Sequence, residues 1–414
     1  MGADKLLAFA DVRAPRGFGA LPTGWRWTSL ESVCAGIFDC PHSTPKLTES
    51  GPFVVRTQDI ITGVLNLKSA ARVSRETYAE RIQRAEPTRG DLLYSREGTY
   101  FGIAAEVPVG VEVCLGQRMV LIRPESRQVS CRFLRYWLNS PIMASHIHGY
   151  RDGSVAQRLN LPTIRSLPVL IPSIAEQESV VGMLGVLDDK VEVNERIAST
   201  AESLCRSIFS EQSWEVRTSV EEIATLRKEQ VVPATLDEAA VAHYSLPAFD
   251  SGAMPEITEP ASIKSAKFVI RQPSVLLSKL NPGIPRAWNV YPDRKMSALA
   301  STEFLVLEPQ NGVSAAELWA VLSQPGLFGN LAANATGTSK SHQRVRPAEV
   351  MTSVVVDPRE LGDARGQVGA LADRVMQARN ESRTLATLRD TLLPQLMSGK
   401  LRVRDAEKIV EDAV

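Results

Sequence analysis

Residues 176–209 read EQESVVGMLGVLDDKVEVNERIASTAESLCRSIF, thirty-four positions without a proline. Val180, Leu184, Leu187, Val191, Asn194, Ala198, Ala201, Cys205 and Ile208 recur in alternating steps of four and three, the heptad seam of a coiled coil. As one helix the stretch would span about 50 Å. A shift of 184 residues sets Val368, Leu371, Val375, Ala378, Ser382, Leu385 and Leu392 opposite Leu184, Leu187, Val191, Asn194, Ala198, Ala201 and Ile208. A lone helix exposing such a stripe would aggregate, so the two seams are expected to pack together as a spacer between globular parts. The competing solution packs each helix on its own domain. Asn194 either fixes the register of the pair or sits at a solvated contact.

The match extends beyond the helices. LLYSREG (from Leu92), VLIRPE (from Val120), YWLNSP, GSVAQRLNLP (from Gly153) and VLIPSIAEQ recur in order as VLLSKLNPG (from Val275), FLVLEP (from Phe304), WAVLSQP, GTSKSHQRVRP (from Gly337) and VVVDPREL. Ser95 answers to Ser278, Pro124 to Pro309, Pro141 to Pro325, and Gln157-Arg158 to Gln343-Arg344. An offset near 185 is too long for a solenoid unit and implies one domain used twice. Within each copy, short apolar β-branched runs bounded by turn residues read as strands. CRFLRYWLNSPIMASHI and AAELWAVLSQPGLFGNLAA read as helices bent or broken at Pro141 and Pro325. Each copy is therefore expected to be α+β.

The 414 residues are 44% hydrophobic and 23% charged, which excludes collagen-like and wholly disordered chains and predicts two or three domains. Forty-seven basic residues cancel forty-seven acidic ones, yet the distribution is uneven. Residues 56–165 hold 16 Lys and Arg against 10 Asp and Glu, and residues 264–347 hold 10 against 4. The compensating acid lies in 174–263. Two basic modules at fixed separation suit a duplex contacted twice, because phosphate binding gains from counterion release; a solvated surface would give the same counts. No sustained apolar run or leader pattern occurs, and the five cysteines form no CxxC pair, so a soluble, cytoplasmic protein with reduced thiols is expected.

A catalytic constellation is not found. GxxxxGK[ST], GxGxxG and GxSxG are all missing. NPGIP (from Asn281) lacks the second proline and aromatic of an amino-methyltransferase motif. Cys34 and Cys40, with His42 following, have no downstream partners for zinc, and His146 and His148, on one face if extended, fit packing or phosphate contact better than metal. No metal or catalytic set is expected. What remains are polar loop clusters. Arg56, Thr57 and Gln58, then Arg96 and Thr99, with Lys279 and Asn281 as counterparts, could read bases, since Arg pairs bidentately with guanine and Gln or Asn with adenine. They could equally be turn residues. Arg151, Ser154, Gln157 and Arg158, matched by Lys340, Ser341, His342, Gln343 and Arg344, combine glycine, hydroxyls and cations suited to DNA phosphates.

LPTGWRWTSLESV (21–33), IPSIAEQESVVGMLGVLDDKVEVNERI (171–197) and LRDTLLPQLMSGKLRV (388–403) resemble the DNA-specificity subunit of type I restriction-modification enzymes, a likeness running from Leu21 onward. It implies target-recognition domains at 21–173 and 212–358, each reading half of a split DNA sequence. Long conserved helices at 174–211 and 359–414 would pair antiparallel to set the spacing, and residues 1–20 would be a flexible extension. It also implies two modification subunits, which hold AdoMet and methylate, in all expectation, adenine, and restriction subunits that cleave. The chain itself would be non-catalytic. The second copy departs over SWEVRTSVEEIATLRKEQVVPATLDEAAVAHYSLPAFDSGAMPEITE, which matches the first only in its opening Trp and apolar pattern. A methyltransferase or nuclease with divergent motifs, and a scaffold that reads nothing, are the alternatives.

Overall fold

The structure, a computed structural model, describes residues 14–15, 18–60, 63–67, 70–98, 100–148, 158–210, 215–293, 295–335 and 343–413. The chain forms two compact units, Met1–Lys190 with Thr384–Val414, and Val191–Arg383. Among the described residues, no helix is long and apolar enough to cross a membrane.

In the first unit, strands Cys34–Asp39, Met119–Pro124, Leu92–Ser95 and Ala104–Glu106 lie side by side in that order, all antiparallel. Leu92–Ser95 is buried along its whole length, as a continuous LLYS run demands of a central strand. A second sheet orders Ala71–Val73, Leu47–Val55 and Val113–Leu115, the last two parallel. A ribbon pairs Arg26–Ser29 with Pro168–Ile171. Helix Cys131–Leu138 buries Trp137, whose indole N–H donates to the Pro168 carbonyl at 2.8 Å.

The second unit repeats the plan. Ala224–Arg227, Phe304–Pro309, Ser274–Ser278 and Ala287–Val290 form the four-stranded antiparallel sheet, and Arg217–Ser219 pairs with Val354–Val356. Helix Ala315–Leu322 starts on a reciprocal cap between Ser314 and Glu317 and buries Trp319, which donates to the Ala287 carbonyl at 3.0 Å. Pro141 and Pro325 each open a second short helix, Pro141–His148 and Pro325–Asn334; at a first helical position the missing N–H costs nothing. The parallel pair of the second sheet also recurs, Val241–Tyr244 beside Ala298–Ala300. Here the sheet has five strands: Glu256–Thr258 lies antiparallel to Val241–Tyr244 as Ala71–Val73 does to Leu47–Val55, and the additions are Lys267–Ile270, antiparallel to Ala298–Ala300, and Gln230–Val231 beyond it. Both units are α+β, as the repeat implies.

The long helices span Ile174–Ser210 and Ala364–Met397. In the first unit the seam residues Leu184, Leu187, Leu385 and Leu392 are buried, and Arg389 reaches Asp188 at 2.9 Å. The same Asp188 accepts from Tyr136 at 2.6 Å and Arg135 at 3.1 Å, tying the globular part to both helices. In the second unit Ala198, Ala201, Val375 and Ala378 form one apolar cluster, and Cys205, Val368 and Ile208 join the main core. Asn194 donates to Glu381 at 3.0 Å while Glu202 pairs with Arg379, so partner numbers fall as the first helix advances: the pair is antiparallel. Asn194 is 1% exposed, a buried register contact rather than a solvated one.

Four seam positions, Val191, Ile208, Leu371 and Ser382, are only half-buried, and Ala372 is buried beside Leu371. An unsupercoiled helix drifts from a seven-residue repeat, which moves the contact line by one position. The carboxyl-terminal helix expected over 359–414 is two helices, Ala364–Met397 and Val403–Ala413, interrupted at Gly399, whose φ of +69° suits a helix stop. Phe18, expected in a flexible extension, packs edge-on against Trp27 at 4.9 Å. Residues 1–13 and 16–17 of that extension lie outside the described residues.

Candidate nucleic-acid interface

The turn after strand Leu92–Ser95 is a backbone junction. The Arg96 N–H donates to the Arg118 carbonyl at 2.9 Å, and its own carbonyl accepts from the Leu159 N–H at 2.8 Å. Glu97 then bridges Arg158. Three distant segments thus meet. Arg118 sits at a φ of +68°, with its side chain 58% exposed, and the Glu97 carboxylate stands 3.5 Å from Arg118 and 3.8 Å from Arg158.

In the second unit Lys279 donates to the Glu303 carbonyl at 2.8 Å and accepts from Val345 at 3.0 Å, and Leu280 bridges Arg344. Asn281, at a φ of +50°, donates to the Gln343 carbonyl at 2.9 Å. The backbone frame is the same, but the charges are not. Glu97 is replaced by Leu280 and Arg118 by Glu303, and Arg344 pairs with that Glu303 at 2.9 Å. One frame carries two cations about a carboxylate; the other carries a single ion pair beside Lys279.

The other sequence-derived positions divide. Arg96 is 4% exposed, because its guanidinium turns inward to Asp39 at 3.3 Å; it braces the junction and does not present itself to a groove. Arg56 is held by the fully buried Asp59, to which its backbone N–H donates at 2.8 Å and its Nε at 3.2 Å. Thr57 and Gln58 follow on the same short turn, with Gln58 exposed. Arg158, Lys279, Asn281, Gln343 and Arg344 are gathered at the two junctions. Thr99, Arg151, Ser154, Gln157, Lys340, Ser341 and His342 lie outside the described residues. Sequence reasoning missed Arg118 and Glu303. The signal available was the offset of 185, which pairs a cation with an anion at one place in the repeat.

His146 and His148 fall on helix Pro141–His148, so two residues apart they face different ways, unlike an extended pair. Burial lowers the His146 pKa, and His148 Nδ1 lies 2.5 Å from the Ala144 carbonyl. Burial pushes the Cys34 thiol up to about 12 and those of Cys114 and Cys205 to about 11, so these sulfurs stay protonated and unreactive. Among the described residues, no group of three His, Cys, Asp or Glu could hold a metal ion.

No family model matches the sequence. The chain is 26% identical over 168 residues to the type I restriction enzyme EcoBI specificity subunit of Escherichia coli, a match covering 39% of this chain and 34% of that relative. Thus the matched stretch spans about a third of the relative's length. The crystal structure of the type I restriction-modification S subunit from M. genitalium aligns with 93% of this chain and 99% of its own, at a TM-score of 0.52 and 14% identity. In sequence and in fold, the chain is similar to the specificity subunits of type I restriction-modification systems.

Proposed function

We propose that the chain is a DNA-specificity subunit that reads a bipartite duplex sequence, one half with each unit, while the long helices set the distance between the halves. One observation carries this reading: a single backbone junction is built twice and furnished with different charges, Glu97, Arg118 and Arg158 against Leu280, Glu303 and Arg344. A frame kept twice serves one task, and unequal side chains on it serve two different base sequences. Exposed Arg118, Arg158 and Arg344 supply phosphate or guanine contacts, Lys279 a phosphate contact and Asn281 an adenine contact. Arg151 and Ser154, and Lys340, Ser341 and His342, add backbone contacts by the same chemistry. The chain performs no chemistry itself. Two modification subunits, holding AdoMet, and restriction subunits dock on it in the cytoplasm.

Comparing methylated positions across the host genome with and without the chain tests this. The expected result is a split motif of two specified blocks that vanishes on deletion. An unchanged methylation map would overturn the proposal, and methyl transfer by the purified chain alone would favour the enzyme reading.

A further inference from the structure

The sequence NPGIP, excluded above as a methyltransferase motif, has a defined shape in the second unit. The Ile284 N–H donates to the Asn281 carbonyl at 2.8 Å, closing a four-residue turn. Proline presets the backbone at the second place of such a turn, and Pro282 stands there, buried, while Gly283, Ile284 and Pro285 are exposed. Pro285 also confines Ile284, the residue before it, to extended backbone. Two anchors hold the turn. On one side the Asn281 N–H donates to the Gln343 carbonyl at 2.9 Å. On the other the buried Arg286 guanidinium grips Asp250 with two hydrogen bonds, at 2.7 and 2.9 Å. A bidentate arginine fixes orientation as well as distance.

The equivalent turn of the first unit is built differently. The Ser95 N–H donates to the Ile103 carbonyl at 2.9 Å and the Ser278 N–H to the Arg286 carbonyl at 3.0 Å, eight residues on in each case, so the two turns are in register. Two places before those carbonyls stand Phe101 and Ile284. Phe101 is 8% exposed and lies against the His148 ring at 5.3 Å, whereas Ile284 is 49% exposed. One place later the Gly102 N–H donates back to the Ser95 carbonyl at 2.7 Å, and Pro285, in the same position, has no N–H to give. The first turn is closed and folded inward; the second is propped outward with an apolar tip. A solitary exposed isoleucine is ordinary on any protein surface. This one is stiffened by prolines, braced by a buried arginine, and set beside the junction that carries Lys279 and the exposed Arg344.

We propose that Ile284 is a wedge that enters between two adjacent base pairs of the half-site read by the second unit, unstacking them and bending the duplex. Isoleucine and proline are among the apolar side chains suited to opening a base step, and cations beside such a wedge hold the flanking phosphates. The inference rests on the DNA reading proposed above and adds to it a deformation of the DNA. Part of the selectivity of the second unit then comes from how readily a step opens, so a flexible pyrimidine–purine step, TA or CA, belongs under Ile284.

The test uses the full chain and a duplex that it has enriched from a random pool, with 2-aminopurine placed in turn at each adenine of both blocks. Binding should raise the fluorescence at least threefold at a position in one block, where the base loses its stacking. Ile284→Ser, at an exposed position, should abolish that rise while binding stays within tenfold of the parent, and Ile284→Leu should keep it. No rise at any position, a rise unchanged in Ile284→Ser, or an Ile284→Ser variant that no longer binds would each overturn the wedge. Enrichment without unstacking would remove the wedge alone, whereas a pool that yields no enriched sequence would overturn the DNA reading and the wedge with it.

Discussion

Arg118 and Glu303 occupy one place in two equivalent junctions, and the difference between them is where specificity is expected to reside. Arg118→Glu transplants the charge of the second unit into the first. It should change the bases enriched in one half-site, each altered contact being worth about 1–3 kcal/mol, and leave the other half-site as it was. Selection from random duplexes checks this; an unaltered pair of blocks would remove Arg118 from the reading set. Arg96 belongs to a different class. Its side chain is buried against Asp39, so Arg96→Ala should lower stability by roughly 2–4 kcal/mol through a stranded, partly buried carboxylate, with the preferred bases unchanged. Denaturant melts together with base selection separate the two roles. The sequence offered only the offset of 185 that sets Arg118 against Glu303, not the contacts these residues make. Glu97, Arg118 and Arg158 are far apart in the chain, and only the folded turn makes them neighbours. The cluster containing Arg96 was found, but nothing in its spacing told an inward arginine from an outward one.

The helices and strands were read with more success because periodicity is local. The heptad seam placed Leu184, Leu187, Asn194, Ala201, Val368, Val375, Leu385 and Leu392 in buried positions, and missed where the contact line moves off Val191, Ile208, Leu371 and Ser382. The added strands Gln230–Val231 and Lys267–Ile270 were invisible, being too short to show alternation. Asn194 is the costly member of the seam: its Nδ2 reaches Glu381, but its Oδ1 is buried without a partner. Asn194→Leu should therefore raise stability by about 1–2 kcal/mol, as burying apolar surface replaces an unsatisfied acceptor. A lower denaturation midpoint would indicate that the Glu381 contact outweighs the orphaned oxygen. At the end of the other ribbon, the Arg359 side chain donates to Asp357 and holds its carboxyl below the usual range, against the opposing effect of burial. A lowered folded-state pKa stabilises above the unfolded value and is lost as pH falls through the folded one. The thermal midpoint of the parent should drop below about pH 4, and Asp357→Asn should flatten that limb. Equal slopes for parent and variant would assign the acid sensitivity elsewhere.

At the scale of the whole molecule, repetition was the strongest signal. Five ordered landmarks at one offset implied two like α+β units, and the strand orders of the two four-stranded sheets agree with that. Two units with one frame and different charges are what the proposed reading of two unlike sequences with one architecture requires. Sequence enrichment of random duplexes by the full chain tests this most directly. The account predicts two conserved blocks of different sequence separated by a gap of constant length. One continuous block, or no enrichment over input, would contradict it.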